Sequence, residues 1–223
     1  MAQTPSKDQF TNLIWSDEFE GDFIDTTKWK FETGDHGWGN NEWQDYQPQG
    51  SDNVEIKDGT LRITARKTGP GQRVGDYTSA RINSRESFLY GRIEIRAKMP
   101  EYKGPGIWPA LWMLGENMGE LGWPLCGEID LMEYISSSPN SVLMTIHSQA
   151  NNHMNGTQLS SGFVPLPNIE EEFEQIKLQL MALSNNMNAM DGTIKNGMPE
   201  DDEDELRLLW DNNIHKLKQA IGG

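Results

Sequence analysis

The stretch G-W-P-L-C-G-E-I-D-L-M-E-Y, residues 122–134, decides how this chain is read. It sets three carboxylates, Glu128, Asp130 and Glu133, along a short run interleaved with apolar residues. Side chains alternate faces along a β-strand, so Glu128 and Asp130 point the same way. Glu133 has the wrong parity for that face unless one residue after Asp130 is bulged out. A β-bulge supplies that extra residue, and bulges gather beside active sites. The expectation is a bulged strand with three acids on one face, and with Ile129 and either Leu131 or Met132 turned to the core. A merely solvated acidic face is the weaker reading, because like charges repel across it and strands are depleted in Asp and Glu.

Two glutamates on such a face suit the cleavage of a glycosidic bond. Glu128 and Glu133 lie four effective strand steps apart, which puts their Cα atoms roughly 13 Å from each other at about 3.3 Å per residue. Side chains leaning inward bring the carboxyl groups towards the ~5–5.5 Å separation of a retaining glycosidase. One acid must then be ionised while the other keeps its proton. Asp130 between them adds negative charge that helps hold a proton on a neighbour.

W-P-A-L-W-M-L-G (108–115) followed by the acidic stretch resembles the laminarinase branch of glycoside hydrolase family 16. The resemblance extends upstream through W-S-D-E-F-E-G (15–21), W-G-N-N-E-W-Q-D-Y (38–46), Y-T-S-A-R-I-N-S (77–84) and Y-G-R-I-E-I-R-A-K-M-P (90–100), covering residues 12–167. It implies a jelly-roll (concanavalin-like) antiparallel β-sandwich and retaining endo-hydrolysis of β-1,3-glucan. The spacing E-x-D-x-x-E is that of the β-1,3-glucanases, whereas lichenase-type relatives have the shorter E-x-D-x-E. By the same resemblance Glu128 is the nucleophile, Glu133 the general acid and base, and Asp130 the group that separates their charge states. A structural calcium ion is common in the family, and Glu18 and Gly59 match the early positions of its site. No redox cofactor is required.

Other candidate residues are read against plainer roles. The loop Gly34–Tyr46 combines Trp38, Trp43, Asn40 and Asn41, which suits a sugar through ring stacking and amide hydrogen bonds. A turn that uses Gly and Asn for positive φ explains it equally well. The resemblance implies that Asn41 contacts substrate. Trp108, Trp112 and Trp123 read as core by residue type, and the resemblance implies cleft-lining rings instead. Arg81 and Arg85 fit either sugar hydroxyls and acids or ordinary surface charge. His147 lies on the strand expected after the acidic one, where an imidazole near Glu133 tunes its proton or is simply structural. His153 sits in a polar, Asn-rich loop and reads as surface. Cys126, the single cysteine, reads as buried packing.

Composition narrows the partners. The chain has 223 residues and a formal net charge of −15. That balance argues against nucleic acid, whose phosphates select basic surfaces, and fits a neutral β-glucan polysaccharide. No apolar run approaches the length that spans a bilayer, so no membrane partner is expected. Met1 to Gln9 is polar and lacks the apolar segment of a signal peptide. The resemblance nonetheless implies a secreted protein, because its polymer substrate is too large to import.

Short alternating segments with turn signals fill residues 13–100, including Leu61–Ala65 after Asp58-Gly59 and Arg92–Lys98. The expectation up to residue 168 is all-β and antiparallel. Beyond it the pattern departs from the family. Asn168 with Glu171 forms a capping box before Phe173, Ile176, Leu180 and Leu183 at helical spacing. Pro199 and the acids Glu200 to Glu205 open a second helix striped by Leu206, Leu209, Trp210, Ile214, Leu217 and Ile221, with Lys216 and Lys218 near its end. The expected organisation is a β-sandwich catalytic region, 1–168, lacking some family strands, then an acidic α-helical hairpin, 169–223. A non-hydrolytic β-glucan-binding or remnant protein, and a transglycosylase on related glycans, stay open as alternatives.

Overall fold

The computed structural model describes residues 10–166 and the strand Gln175–Leu178, and the chain divides into two compact units, residues 1–87 and 88–223. The first unit holds β1 (Trp29–Glu32), β2 (Gln44–Tyr46), β3 (Val54–Lys57), β4 (Thr60–Ile63), β5 (Arg66–Lys67), β6 (Tyr77–Ser79) and β7 (Arg81–Ser84). β1 pairs antiparallel with β7, and β3 with β4 through the Asp58-Gly59 turn, where both residues adopt positive φ. β6 lies between β2 and β5. Its pairing with β2 is parallel, which corrects the purely antiparallel expectation. Parallel neighbours need a long crossover, and the β3–β4 hairpin and β5 supply it here.

The second unit holds β8 (Ile93–Arg96), β9 (Ala110–Leu114), a single helical turn α1 (Met118–Leu121), β10 (Glu128–Glu133), β11 (Ser141–His147), β12 (Leu159–Ser160), β13 (Val164–Pro165) and β14 (Gln175–Leu178). β9, β10, β11 and β12 stand in that order in one sheet, and β13 also pairs with β11. The core cluster is Leu131, Met132, Tyr134, Val142, Met144 and Val164, with Ile93, Ile95, Leu111, Met113 and Ile129 packed against it. Val142 and Met144 reach it because they alternate along β11. Thr145 and His147, of opposite parity, are also buried, so β11 is covered on both faces.

Gln175–Leu178 contradicts the first expected helix over those four residues. It is a strand, paired antiparallel with β8 from Gln175↔Arg96 to Leu178↔Ile93. Q-I-K-L alternates with period two as well as fitting a helical spacing, and β8, I-E-I-R, alternates in step with it. A ladder between residues about eighty positions apart in sequence is invisible to local periodicity, and tertiary pairing overrides local preference. The remainder of the expected helical hairpin lies outside the described residues.

Candidate active site

The site is built on β10, and its geometry follows from a break in register. Against β11, Glu128 faces His147 and Asp130 faces Thr145, but Glu133 faces Leu143. Leu131 and Met132 together therefore oppose the single residue Met144. Against β9 the register shifts in the same interval, with Asp130 opposite Trp112 and Met132 opposite Leu111. Directly opposed residues share a face, so Asp130, Thr145 and Trp112 lie together, as do Glu128 and His147. Glu133 joins that face: its Oε2 accepts a hydrogen bond from the Thr145 hydroxyl at 3.2 Å. The bulge expected from the sequence is present. It turns both Leu131 and Met132 into the core, at 4 % and 1 % exposed, where one of the two was expected.

Glu133 is held from both sides. The Trp108 indole Nε1 donates to its Oε1 at 3.0 Å, while the ring stays 47 % exposed. Trp108 is placed by backbone pairing that continues past the ends of β9 and β10. Tyr134 N donates to Pro109 O, and Ser136 N to Ile107 O, each at 3.0 Å. The Ser136 side chain, fully buried, accepts from Ile107 N at 3.1 Å and donates to Gly104 O. Ser136 thus clamps the segment that presents Trp108.

Glu128 sits at the other end of the row, among aromatic and imidazole groups. His147 lies across the strand pair from it, with Nε2 3.5 Å from Asp130 Oδ2. The Trp123 ring stacks on His153 with centroids 4.7 Å apart at 27°, and meets the His147 ring edge-on at 5.7 Å. Trp123 Nε1 is buried and makes no hydrogen bond of regular geometry, yet it lies near enough to Glu128 to favour the ionised carboxylate.

Electrostatics at the site follow from burial and crowding. Burial first, and then the charge of Asp130, push the Glu128 carboxyl up to about 7, against the pull of His147. The same two causes raise Glu133, and the Thr145 and Trp108 donors oppose them. Burial is the largest influence on His147 and favours its neutral form. The Asp130 hydrogen bond and the charges of Glu128, Asp130 and Glu133 outweigh it, so His147 is raised. Glu128 therefore holds on to its proton into the neutral range. Among the described residues, only Glu128, Asp130 and His147 gather closely enough to hold a cation by three side chains, with ligand atoms within 4.8 Å of one another.

The approach to β10 is a tight turn. Cys126 N donates to Gly122 O at 2.9 Å and Gly127 N to Pro124 O at 3.1 Å. Cys126 is 1 % exposed beside Met118, and burial raises its thiol, in keeping with a packing role. Gly115 ends β9 against this turn, bonded to Gly127 O at 3.1 Å. A Cβ there would run into the Cys126 carbonyl, whose carbon would be 2.8 Å away.

The remaining candidates lie in the first unit. Asn41 is exposed at φ 56° in a turn where Gly37 O accepts from both Asn40 N and Glu42 N. The Arg81 guanidinium pairs with Glu32, its cross-strand partner, and covers the Trp38 ring at 4.6 Å. Beside Trp38, Tyr46 donates to Glu42 at 3.2 Å; burial and then the Glu42 charge push this phenol up to about 12. Arg85 Nε donates to Thr26 O at 2.6 Å, which ties two segments of this unit together. Glu18 is exposed at the rim of an acidic cavity with Asp17, Glu20 and Lys28, while Gly59 closes the β3–β4 turn and does not line that cavity. Glu18 belongs to no close ligand set of His, Cys, Asp and Glu side chains among the described residues.

Sequence reasoning missed Thr145, Ser136 and the stacking role of His153. Thr145 shares the parity of His147, which was a usable signal. Ser136 offered none, because its partners lie 29 and 32 positions away.

A sequence profile described as Glycosyl hydrolases family 16 matches residues 41–174, more than half of the chain. The chain belongs to this family. It is 42 % identical over 166 residues to a beta-glucanase of Rhodothermus marinus, covering 72 % of this chain and 56 % of the relative. A glucan endo-1,3-beta-glucosidase of Cryptopygus antarcticus is 41 % identical over 138 residues, covering 60 % of this chain and 50 % of that one. The X-ray structure of the laminarinase from Rhodothermus marinus matches with a TM-score of 0.67 at 40 % identity, covering 76 % of this chain and 67 % of that chain. The chain spans about half the length of the curated relatives it matches.

Proposed function

We propose that this chain is a retaining endo-hydrolase of β-1,3-glucan of the laminarin type. The observation that carries the reading is the bulged β10, which gathers Glu128, Asp130 and Glu133 on one face, where the Thr145 hydroxyl and the Trp108 indole both donate to Glu133. The names of the relatives, a beta-glucanase, a glucan endo-1,3-beta-glucosidase and a laminarinase, support the substrate class.

Glu133 gives its proton to the glycosidic oxygen while a Glu128 oxygen attacks the anomeric carbon. The bond to the leaving sugar breaks and a glycosyl ester on Glu128 forms. Glu133, now ionised, takes a proton from water; the resulting hydroxide equivalent attacks the same carbon and frees Glu128. His147, the cross-strand partner of Glu128, favours its ionised form, and Asp130 keeps a proton on the cluster by repulsion. Trp108, whose exposed ring stands over Glu133, and Trp123 beside Glu128 supply stacking surfaces for sugar rings. The chemistry calls for no redox cofactor, and a polymer substrate suits action outside the cell.

Release of reducing ends from laminarin by the wild type and by Glu128→Gln tests the assignment. Loss of several orders of magnitude in the variant is expected. Equal rates would sink the nucleophile. No turnover by wild type, with retention on insoluble β-1,3-glucan, would replace hydrolysis by binding.

A further inference from the structure

We propose that His153 is a positioning residue of this site: by stacking on Trp123 it fixes the indole that borders Glu128, and so sets the affinity for the glucosyl unit bound there. The inference rests on the functional reading above and adds a residue to it.

The argument begins with the loop that carries His153. Asn152 is 2 % exposed, and its amide donates to Ser148 O at 3.0 Å and Gln149 O at 3.1 Å. Its Oδ1 accepts from Met154 N at 3.1 Å and Asn155 N at 3.3 Å. One buried side chain therefore dictates the course of the loop on both sides of His153. The imidazole it presents is exposed, where a polar residue is ordinarily free to point into water. Instead it lies nearly flat on the Trp123 ring. His153 and His147 also meet edge to face at 5.3 Å, which closes a triangle of three rings.

That triangle has a direction. Trp123 follows Gly122, which has φ 72°, and leads into the turn before Glu128. Two rings touch Trp123, beside its N–H approach to Glu128. His153 takes one face of the indole and His147 an edge. Removing His153 frees the indole to leave its rotamer, and a sugar must then order it on binding.

The test measures laminarihexaose affinity by calorimetry in a Glu128→Gln background, together with laminarin turnover, for His153, His153→Ala and His153→Phe. Loss of the stack should weaken binding about threefold to tenfold in the alanine variant, as expected for an aromatic pair. The same factor should appear in KM and not in kcat. Phenylalanine, which stacks but carries no proton or hydrogen bond, should restore both. Unchanged affinity in the alanine variant of an enzyme that turns laminarin over overturns the inference alone. So does a phenylalanine variant as weak as alanine, which would assign His153 a hydrogen-bonding role. A wild type that neither binds nor cleaves laminarin overturns the functional reading and this inference with it.

Discussion

Thr145→Val isolates one hydrogen bond to the proposed general acid. Thr145 is 6 % exposed, opposite Asp130 on β11, and its hydroxyl donates to Glu133 Oε2 at 3.2 Å. Valine keeps the β-branched outline that the strand favours, so the change removes little except the donor. A hydroxyl donating to a carboxylate stabilises the charged form, and its loss makes Glu133 hold its proton more tightly. A hydrogen bond to a charged group is worth about 1.5–3 kcal/mol; the incomplete burial of the acceptor and the second donor, Trp108, bring the expected effect down to about 1 kcal/mol. At about 1.4 kcal/mol per pH unit, the alkaline limb of kcat/KM should move up by roughly half to one pH unit. The sign follows because a general acid works only while protonated, and kcat/KM reports the free enzyme. The assay is reducing-end release from laminarin across roughly pH 4 to pH 10, with Thr145→Ser as the variant that returns the hydroxyl. A limb that stays in place or moves down refutes the reasoning, as does a serine variant that behaves like valine.

Glu128→Gln should stabilise the protein while it abolishes turnover. The folded pKa of Glu128, about 7, lies above its ordinary 4.5, so folding favours the protonated form. Its contribution is present below pH 4.5 and turns into a growing cost as pH rises to about 7. The melting advantage of the variant should open across that window and level off above it, reaching on the order of 1–3 kcal/mol; an advantage that shrinks with rising pH would refute the sign. Gly115→Ala should lower the urea midpoint by the equivalent of about 1–3 kcal/mol, because the obstructing Cys126 carbonyl is backbone and cannot swing away. Unchanged stability would show that the β9 end has room to part from the turn.

The acids and the bulge were legible because parity is a local property: three carboxylates among apolar residues admit one face only if one residue is set aside. What surrounds them was less so. Thr145 and Trp108 act on Glu133 through pairing between β9, β10 and β11, and register across strands is not written in any one of them. Arg81 illustrates the same limit, since its charge fitted a sugar as well as it fits Glu32 and the Trp38 face. The error at Gln175–Leu178 has a related origin. A four-residue alternation inside an apparent helical stripe is decided by whether a partner strand stands ready, and β8 does.

The bulge also explains why repelling acids stay together. Leu131 and Met132 both contribute to the core, and burying each fully is worth about 1.5–3 kcal/mol. Closing the bulge by one residue would restore regular pairing, yet it would turn Met132 to the acid face and drive Glu133 into the apolar cluster. The cost of burying an unpaired carboxyl there exceeds what relief of the repulsion between Glu128, Asp130 and Glu133 returns. The apolar residues of β10 thus enforce the position of its acids. On this argument, replacing Met132 with a polar residue damages the site through register and not through any contact with substrate.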